Sequence, residues 1–255
     1  MFFSAEAIKN WWYPRVLLLC LFSPVCLAKQ QLVIAGWEKP PYIIASQDSG
    51  YEIELISQVL ARLDQQISML YVPYGRTYET YKREQADIAL TLTSRSGVPD
   101  ELLSIPYVSY QNVAISLKKS HLNLYTISQL KELSVIAFQS ASKVLGSEFG
   151  QAVKDNMLYL ELPDQGRQVE MLFHGSVDVV VMDINIFNYF SSRIFGESQM
   201  DKVVVHAFFP PTHYSAAFRD ARLLQDFNRE FVEFKHSEAY RLLGQKYDFI
   251  YPLQE

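Results

Sequence analysis

The chain has only two cysteines in 255 residues, Cys20 and Cys26, and both fall within its first 28 positions. Past that point a disulfide scaffold, a cysteine nucleophile and a cysteine-ligated zinc are excluded, and a thiol-free chain suits an oxidising compartment. Glycine is sparse, at ten residues, and no Pro- or Ser-rich stretch interrupts the sequence, so a flexible linker between domains is not expected. After residue 28 no apolar run approaches the roughly 20 residues that a membrane-spanning helix needs. Positive charge is in deficit too: setting aside Glu6, Lys9 and Arg15 of the first segment leaves 21 basic residues against 27 acidic ones, a net charge of −6. That balance argues against a nucleic-acid partner.

Catalytic signatures are missing as well. The five histidines, His121, His174, His206, His213 and His236, lack the HExxH pairing of zinc peptidases. No G-x-S-x-G elbow, Walker-type phosphate loop or G-x-G-x-x-G turn occurs. Nothing asks for a metal, a cofactor or a catalytic residue.

The opening segment has its own logic. Lys9 and Arg15 precede the apolar run Val16–Phe22, followed by "SPVCLA" with Ala28 at a small-residue cleavage point. Basic, then apolar, then small is the order of a secretory signal peptide, and residues 1–28 are expected to be removed on export. The remainder alternates short apolar runs with helix-periodic ones. "QLVIAGW", "ISMLYV", "DIALTLT", "SVIAF", "MLYLEL" and "DVVVM" read as strands. "YEIELISQVLARL", "RTYETYKREQ", "SKVLGSEFGQAV", "GRQVEMLFHG" and "DARLLQDFNREFVEF" read as helices. Strands apolar on both faces and alternating with helices predict α/β lobes, each a mostly parallel sheet covered by helices on both sides.

Two stretches repeat one another: "ADIALTLT" (Ala86–Thr93) and "VDVVVMD" (Val177–Asp183) each place an Asp at the head of a buried strand. Asp87 and Asp178 stand at the N-terminal ends, so they are expected to be structural, because ligands of such sheets sit beyond the carboxyl ends of the strands. The residues that collect at those ends are Trp37, Tyr42, Arg76, Thr93 and Arg95 in the first half and Ser140, Ser142 and Asp183 in the second. Arg76 or Arg95 offers a bidentate match to a carboxylate. Ser140 and Ser142 either cap the following helix or help hold an anion there. Asp183 pairs with a ligand amine or caps the helix "INIFNYF". Trp37 and Tyr42 offer faces on which a ligand stacks. Together they suit a small polar or zwitterionic ligand.

On "PPY", "SGYEIELISQVLARL", "ADIALTLT…SIPYV", "TISQLKELSVIAFQSAS", "HGSVDVVVMD" and "SEAYRLLGQKYD", in this order after a signal peptide, the chain resembles the bacterial extracellular solute-binding proteins of family 3, the polar amino-acid-binding type. The resemblance runs over Gln31–Tyr247. It implies a type II periplasmic-binding-protein-like fold, with one lobe of residues 29–111 plus 217–255, a second of 112–216, and crossing strands near 112–115 and 213–216. It also implies that Asp183 takes an α-amino group, that an arginine after the matching strand takes the α-carboxylate, and that Tyr42 stacks on the side chain. The family's Thr-x-x-Arg is here "TSRS", with Arg95 two residues after Thr93, and Arg76 is the substitute. A monomer in the periplasm, delivering a small polar ligand to the membrane permease of an ABC transporter or to a membrane sensor, is the function so implied. The alternative on the same fold is an enzyme resembling cyclohexadienyl dehydratase, with Glu38 or Glu52 as its acid.

Overall fold

The computed structural model of the chain describes residues 29–73, 75–83 and 86–252. The expected export segment, residues 1–28, lies outside them. Ten strands, β1 (Lys29–Gly36), β2 (Gln65–Val72), β3 (Ile88–Leu92), β4 (Val108–Tyr110), β5 (Asn112–Leu117), β6 (Val135–Ala137), β7 (Tyr159–Glu161), β8 (Val179–Asp183), β9 (Val203–His206) and β10 (Thr212–Phe218), form two sheets of five. Their orders are β2-β1-β3-β10-β4 and β7-β6-β8-β5-β9. In each, three neighbouring strands are parallel, and the fourth pairs antiparallel on both its sides. Helices α1 (Tyr51–Ala61), α2 (Thr77–Arg83), α3 (Ala141–Val144), α4 (Ser147–Lys154), α5 (Gln165–Phe173), α6 (Ile184–Phe195), α7 (Ala221–Phe234) and α8 (Glu238–Lys246) complete the described chain. The two-lobed α/β architecture expected from the sequence is the one observed.

Strand periodicity explains the layering. Along β1, Val33 and Ala35 join the core that contains the α1 and α7 residues Ile56, Val59, Phe227 and Phe231, whereas Ile34 joins the opposite core with Tyr81 of α2. Along β8, Val180 and Met182 face α5 and α6, while Val179 and Val181 face Phe149 and Val153 of α4. Alternate side chains point to opposite faces, so a strand apolar at every position requires a helical layer on both. The α7 stripe of Leu223, Leu224, Phe227, Phe231 and Phe234 is buried. Each such side chain contributes roughly 1.5–3 kcal/mol by leaving water.

The repeated Asp has one job in both places. Asp87 accepts the backbone N–H of Leu32 through Oδ2 at 2.8 Å, pinning β3 to β1. Asp178 accepts the Ser134 N–H at 2.9 Å and its hydroxyl at 2.6 Å, tying β8 to the entry of β6. Each lobe therefore begins a buried central strand with the same carboxylate staple.

Two local expectations give way. The single helix expected over "SKVLGSEFGQAV" is two, α3 and α4, because Gly146 adopts φ 95 and acts as the N-cap of α4. The return crossing is not at 213–216: Thr212–Tyr214 pair with β4 and Ser215–Phe218 with β3, so residues 212–216 belong to the first sheet. The chain leaves that sheet at Gln111, between β4 and β5, and returns through residues 207–211, between β9 and β10.

Candidate functional site

The site begins with a loop held against a helix start. Gly50, at φ 122, is the N-cap of α1, and an added Cβ there would lie 2.3 Å from the Tyr42 carbonyl oxygen. The close approach lets the first N–H groups of α1 find partners. Tyr51 N–H donates to Pro41 O at 2.8 Å and Glu52 N–H to Tyr42 O at 3.0 Å, satisfying donors that a helix N-terminus leaves open. Tyr42 and Glu52 are thereby fixed with respect to each other, and both are fully buried.

Tyr42 then reaches the other lobe. Its hydroxyl donates to the Asp183 carboxylate, 3.0 Å from each oxygen. Asp183 ends β8 and is the N-cap of α6, with Oδ1 accepting the N–H groups of Asn185 and Ile186. Its Oδ2 accepts the N–H of Gln111 at 2.9 Å, at the crossing itself. Burial pushes the Asp183 carboxyl up to about 6, although these four donors all favour its charged form. Of the two readings open for Asp183, the helix cap is therefore realised, in a residue that also binds the opposite lobe.

A second carboxylate stands on the first lobe's side. Glu52 accepts hydroxyls from Thr91 at 2.6 Å, Tyr110 at 2.8 Å and Tyr107. Thr91 points there because it takes φ +57 at a bulge, where three residue steps of β3 face two of β10. A β-branched residue is a true outlier in that region, and the bonds from its N–H to Tyr107 and from its hydroxyl to Glu52 hold it. The Tyr110 ring stacks on Tyr42, with centroids 3.8 Å apart, and the Lys39 ammonium sits 4.9 Å above the Tyr110 ring. Burial holds the Lys39 amine below the usual lysine range, against the pull of Glu52 and Asp183. Two carboxylates, one ammonium and a stacked tyrosine pair thus form one cluster across the lobe boundary.

A third connection closes the back. Asn185 exchanges both its amide groups with Ile250, donating to its O at 2.9 Å and accepting its N–H at 2.7 Å, and Asn188 donates to Asp248 O at 3.0 Å. Phe249 between them stacks on Tyr51 at 3.7 Å. The C-terminal segment of the first lobe is strapped to α6 of the second.

Of the eight residues expected at the site, the structure brings Tyr42 and Asp183 into contact. Trp37 is exposed and meets Tyr71 edge-on. Thr93 closes a capping box with Ser96. Arg76 and Arg95 are exposed, and neither guanidinium makes an ion pair or hydrogen bond among the described residues. Ser140 and Ser142 are engaged by the chain's own Glu161, which accepts the Ser140 N–H at 2.6 Å and the Ser142 N–H and hydroxyl at 2.9 and 2.7 Å. Burial works against the Glu161 anion, but these bonds prevail and hold its carboxyl below the ordinary range. Neither serine side chain caps α3, so the capping expectation fails there: Ser140 is in the left-handed region at φ 68. Hollows of about 350 and 360 Å³ lie elsewhere, beside Ile53, Glu54 and Ile67 and beside Lys235, His236 and Tyr251.

Tyr107, Tyr110, Gln111 and Asn185 were not marked by the sequence, Lys39 only as part of the stretch from Trp37 to Tyr42 past the first strand, and Glu52 only as an acid for the enzyme alternative. One signal existed: Glu52 is four residues before Ile56, which puts a carboxylate on the apolar face of α1. A buried charge at such a position needs partners.

No protein-family model matches the chain, and no curated protein sequence matches it. Solved structures do. An ancestral cationic amino-acid solute-binding protein is 18% identical, over 88% of this chain and 97% of that one, with a TM-score of 0.66. A histidine kinase sensor domain with similarity to periplasmic binding proteins is 16% identical, over 86% and 96%, at 0.62. The substrate-binding protein of an ABC uptake transporter from Streptococcus pneumoniae, with bound histidine, is 14% identical, over 86% and 92%, at 0.61. The fold is that of the two-lobed periplasmic binding proteins.

Proposed function

We propose that this chain is an exported receptor that holds a small polar solute, an amino acid or a related compound, between its two lobes and presents it to the permease of an ABC transporter in the membrane. The observation that carries this reading is the Tyr42–Asp183 contact. It joins the loop after β1 of one lobe to the carboxyl end of β8 of the other, where open α/β sheets take ligands. Asp183 receives the ligand's amine in exchange for the Tyr42 hydroxyl. Arg76 or Arg95, exposed on the rim of the first lobe, receives its carboxylate, and Trp37 and Tyr42 supply aromatic faces. Thr93, Ser140 and Ser142 supply hydroxyls once rearranged. The fold's likeness to proteins that bind histidine and cationic amino acids supports the ligand class.

A second reading has the same cleft serve a membrane sensor, and it is favoured by the likeness in fold to a histidine kinase sensor domain. In this structure Glu52 accepts three hydroxyls and Glu38 accepts the Ser46 N–H at 2.8 Å, and both readings take the protein to work by binding. Calorimetry of the mature protein against amino acids, small peptides, polyamines and organic acids tests the proposal. One of Arg76→Ala and Arg95→Ala should cost ~2–5 kcal/mol, or roughly 30-fold to several-thousand-fold in affinity, and the other little. A blank across the panel sinks the receptor reading, and turnover of prephenate would install the enzyme in its place.

A further inference from the structure

The interlobe cluster contains a cation of its own. Lys39 lies three residues past the end of β1, and its backbone is fastened by reciprocal bonds with Ile43, N–H to O at 2.8 Å and back at 3.0 Å. The side chain therefore leaves a fixed root. Its ammonium lies over the Tyr110 ring at 4.9 Å, on the tyrosine whose hydroxyl binds Glu52 and whose ring stacks on Tyr42, itself bound to Asp183. An ammonium over an aromatic face and flanked by two buried carboxylates has the surroundings that a ligand's cationic group would seek. Without a positive charge there, the buried carboxylates of Glu52 and Asp183 would lose the cation that attracts them both, and a buried charge is costly without a counter-charge.

We propose that Lys39 is a built-in occupant of the cleft's cation position, holding the lobes together when no ligand is bound and setting the charge that an entering ligand must carry. An ammonium or guanidinium compound displaces it by taking its place over the Tyr110 ring, within the attraction of Glu52 and Asp183. A neutral or anionic compound of similar size leaves the two carboxylates uncompensated and does not. This rests on the reading of the interlobe cleft as a ligand site, and it deepens it by making Lys39 the residue that decides ligand charge.

The test is replacement of the side chain and its rescue from solution. Lys39→Ala should lower the melting temperature and raise the radius of gyration measured by small-angle scattering. Millimolar n-butylammonium should reverse both changes, with an apparent affinity at least tenfold better than that of n-butanol, its neutral counterpart. Lys39→Met fills the same space without charge, so it should be destabilised and gain nothing from either compound, and the wild type, whose own ammonium competes for the position, should respond to n-butylammonium at least tenfold more weakly than Lys39→Ala does. Equal rescue by the two compounds, or a Lys39→Ala protein as stable and compact as the wild type, overturns the proposal. So does failure of Lys39→Ala to fold even with n-butylammonium present, since a position open to an external cation would be restored by one. Rescue requires no natural ligand. A blank in the ligand screen alongside clean rescue would therefore fault the receptor reading alone, and a screen hit without rescue would fault only the role of Lys39.

Discussion

Replacing Asp183 by asparagine should remove a pH dependence that the buried carboxylate imposes on stability. The side chain is 4% exposed, and burial raises its pKa to about 6 in the folded protein. In the unfolded chain an aspartate titrates near ~3.9. The folded state thus keeps this proton up to about pH 6, and the unfolded state only to about pH 4. Between those values the folded state binds more protons, so stability from this group is fully present below the unfolded value and is lost as pH rises towards 6. A shift of about two units corresponds to roughly 3 kcal/mol, or about 6–12 °C in melting temperature for a chain of this size. Asparagine resembles the protonated acid in shape and charge and does not titrate. The stability of wild type minus that of Asp183→Asn should therefore fall by about 2 kcal/mol from pH 4 to pH 7. Glu161, Asp220 and Glu238, whose carboxyls are held low, push the opposite way in both proteins and cancel in the difference. Urea unfolding followed by the fluorescence of Trp37, the sole tryptophan after residue 28, measures it. Parallel stability curves for the two proteins between pH 4 and 7 would refute the reasoning, and a difference that grows with pH would reverse its sign.

Tyr42→Phe keeps the stack on Tyr110 but removes the hydroxyl that donates to Asp183 from the opposite lobe. It should cost about 1–3 kcal/mol in urea unfolding and expand the protein in small-angle scattering; an unchanged radius of gyration would show that this bond does not hold the lobes. Gly50→Ala forces a Cβ to within 2.3 Å of the Tyr42 carbonyl at φ 122, so the Tyr42 loop must leave α1. A loss exceeding the ~1 kcal/mol typical of mutations is expected by thermal melting, together with weaker binding of any ligand found. Asn185→Ala removes both bonds to Ile250 and should speed amide exchange at Ile250, while exchange within α8 stays slow; equal protection in variant and wild type would mean that the strap is held by Phe249 packing alone.

Much of this molecule was written in its local pattern. Strands apolar at every position, such as Val179–Met182, can only be buried on both faces, so sequence alone called for helices on either side of each sheet. The repeated Asp at the head of a buried strand was legible as structural because the strand's direction is set by the helix before it. The caps at Asp183 and Asp220 could be anticipated for the same reason, since they depend on residues two and three positions away. What the pattern did not contain was which strand ends meet. Tyr42 and Asp183 are 141 residues apart, and Glu52 and Tyr110 are 58 apart; their bonds exist because two sheets built from interleaved segments bring their loops together. Ser140 and Ser142 read as caps of the following helix or as anion donors, and it is the partner strand β7 that places Glu161 beside them. Lys39 meets the Tyr110 ring because the crossing at Gln111 sets that tyrosine beneath it. Local sequence fixes backbone hydrogen bonding and burial because both act over a few residues, whereas the pairing of charged side chains acts through space and was decided only when the chain crossed between its lobes and back.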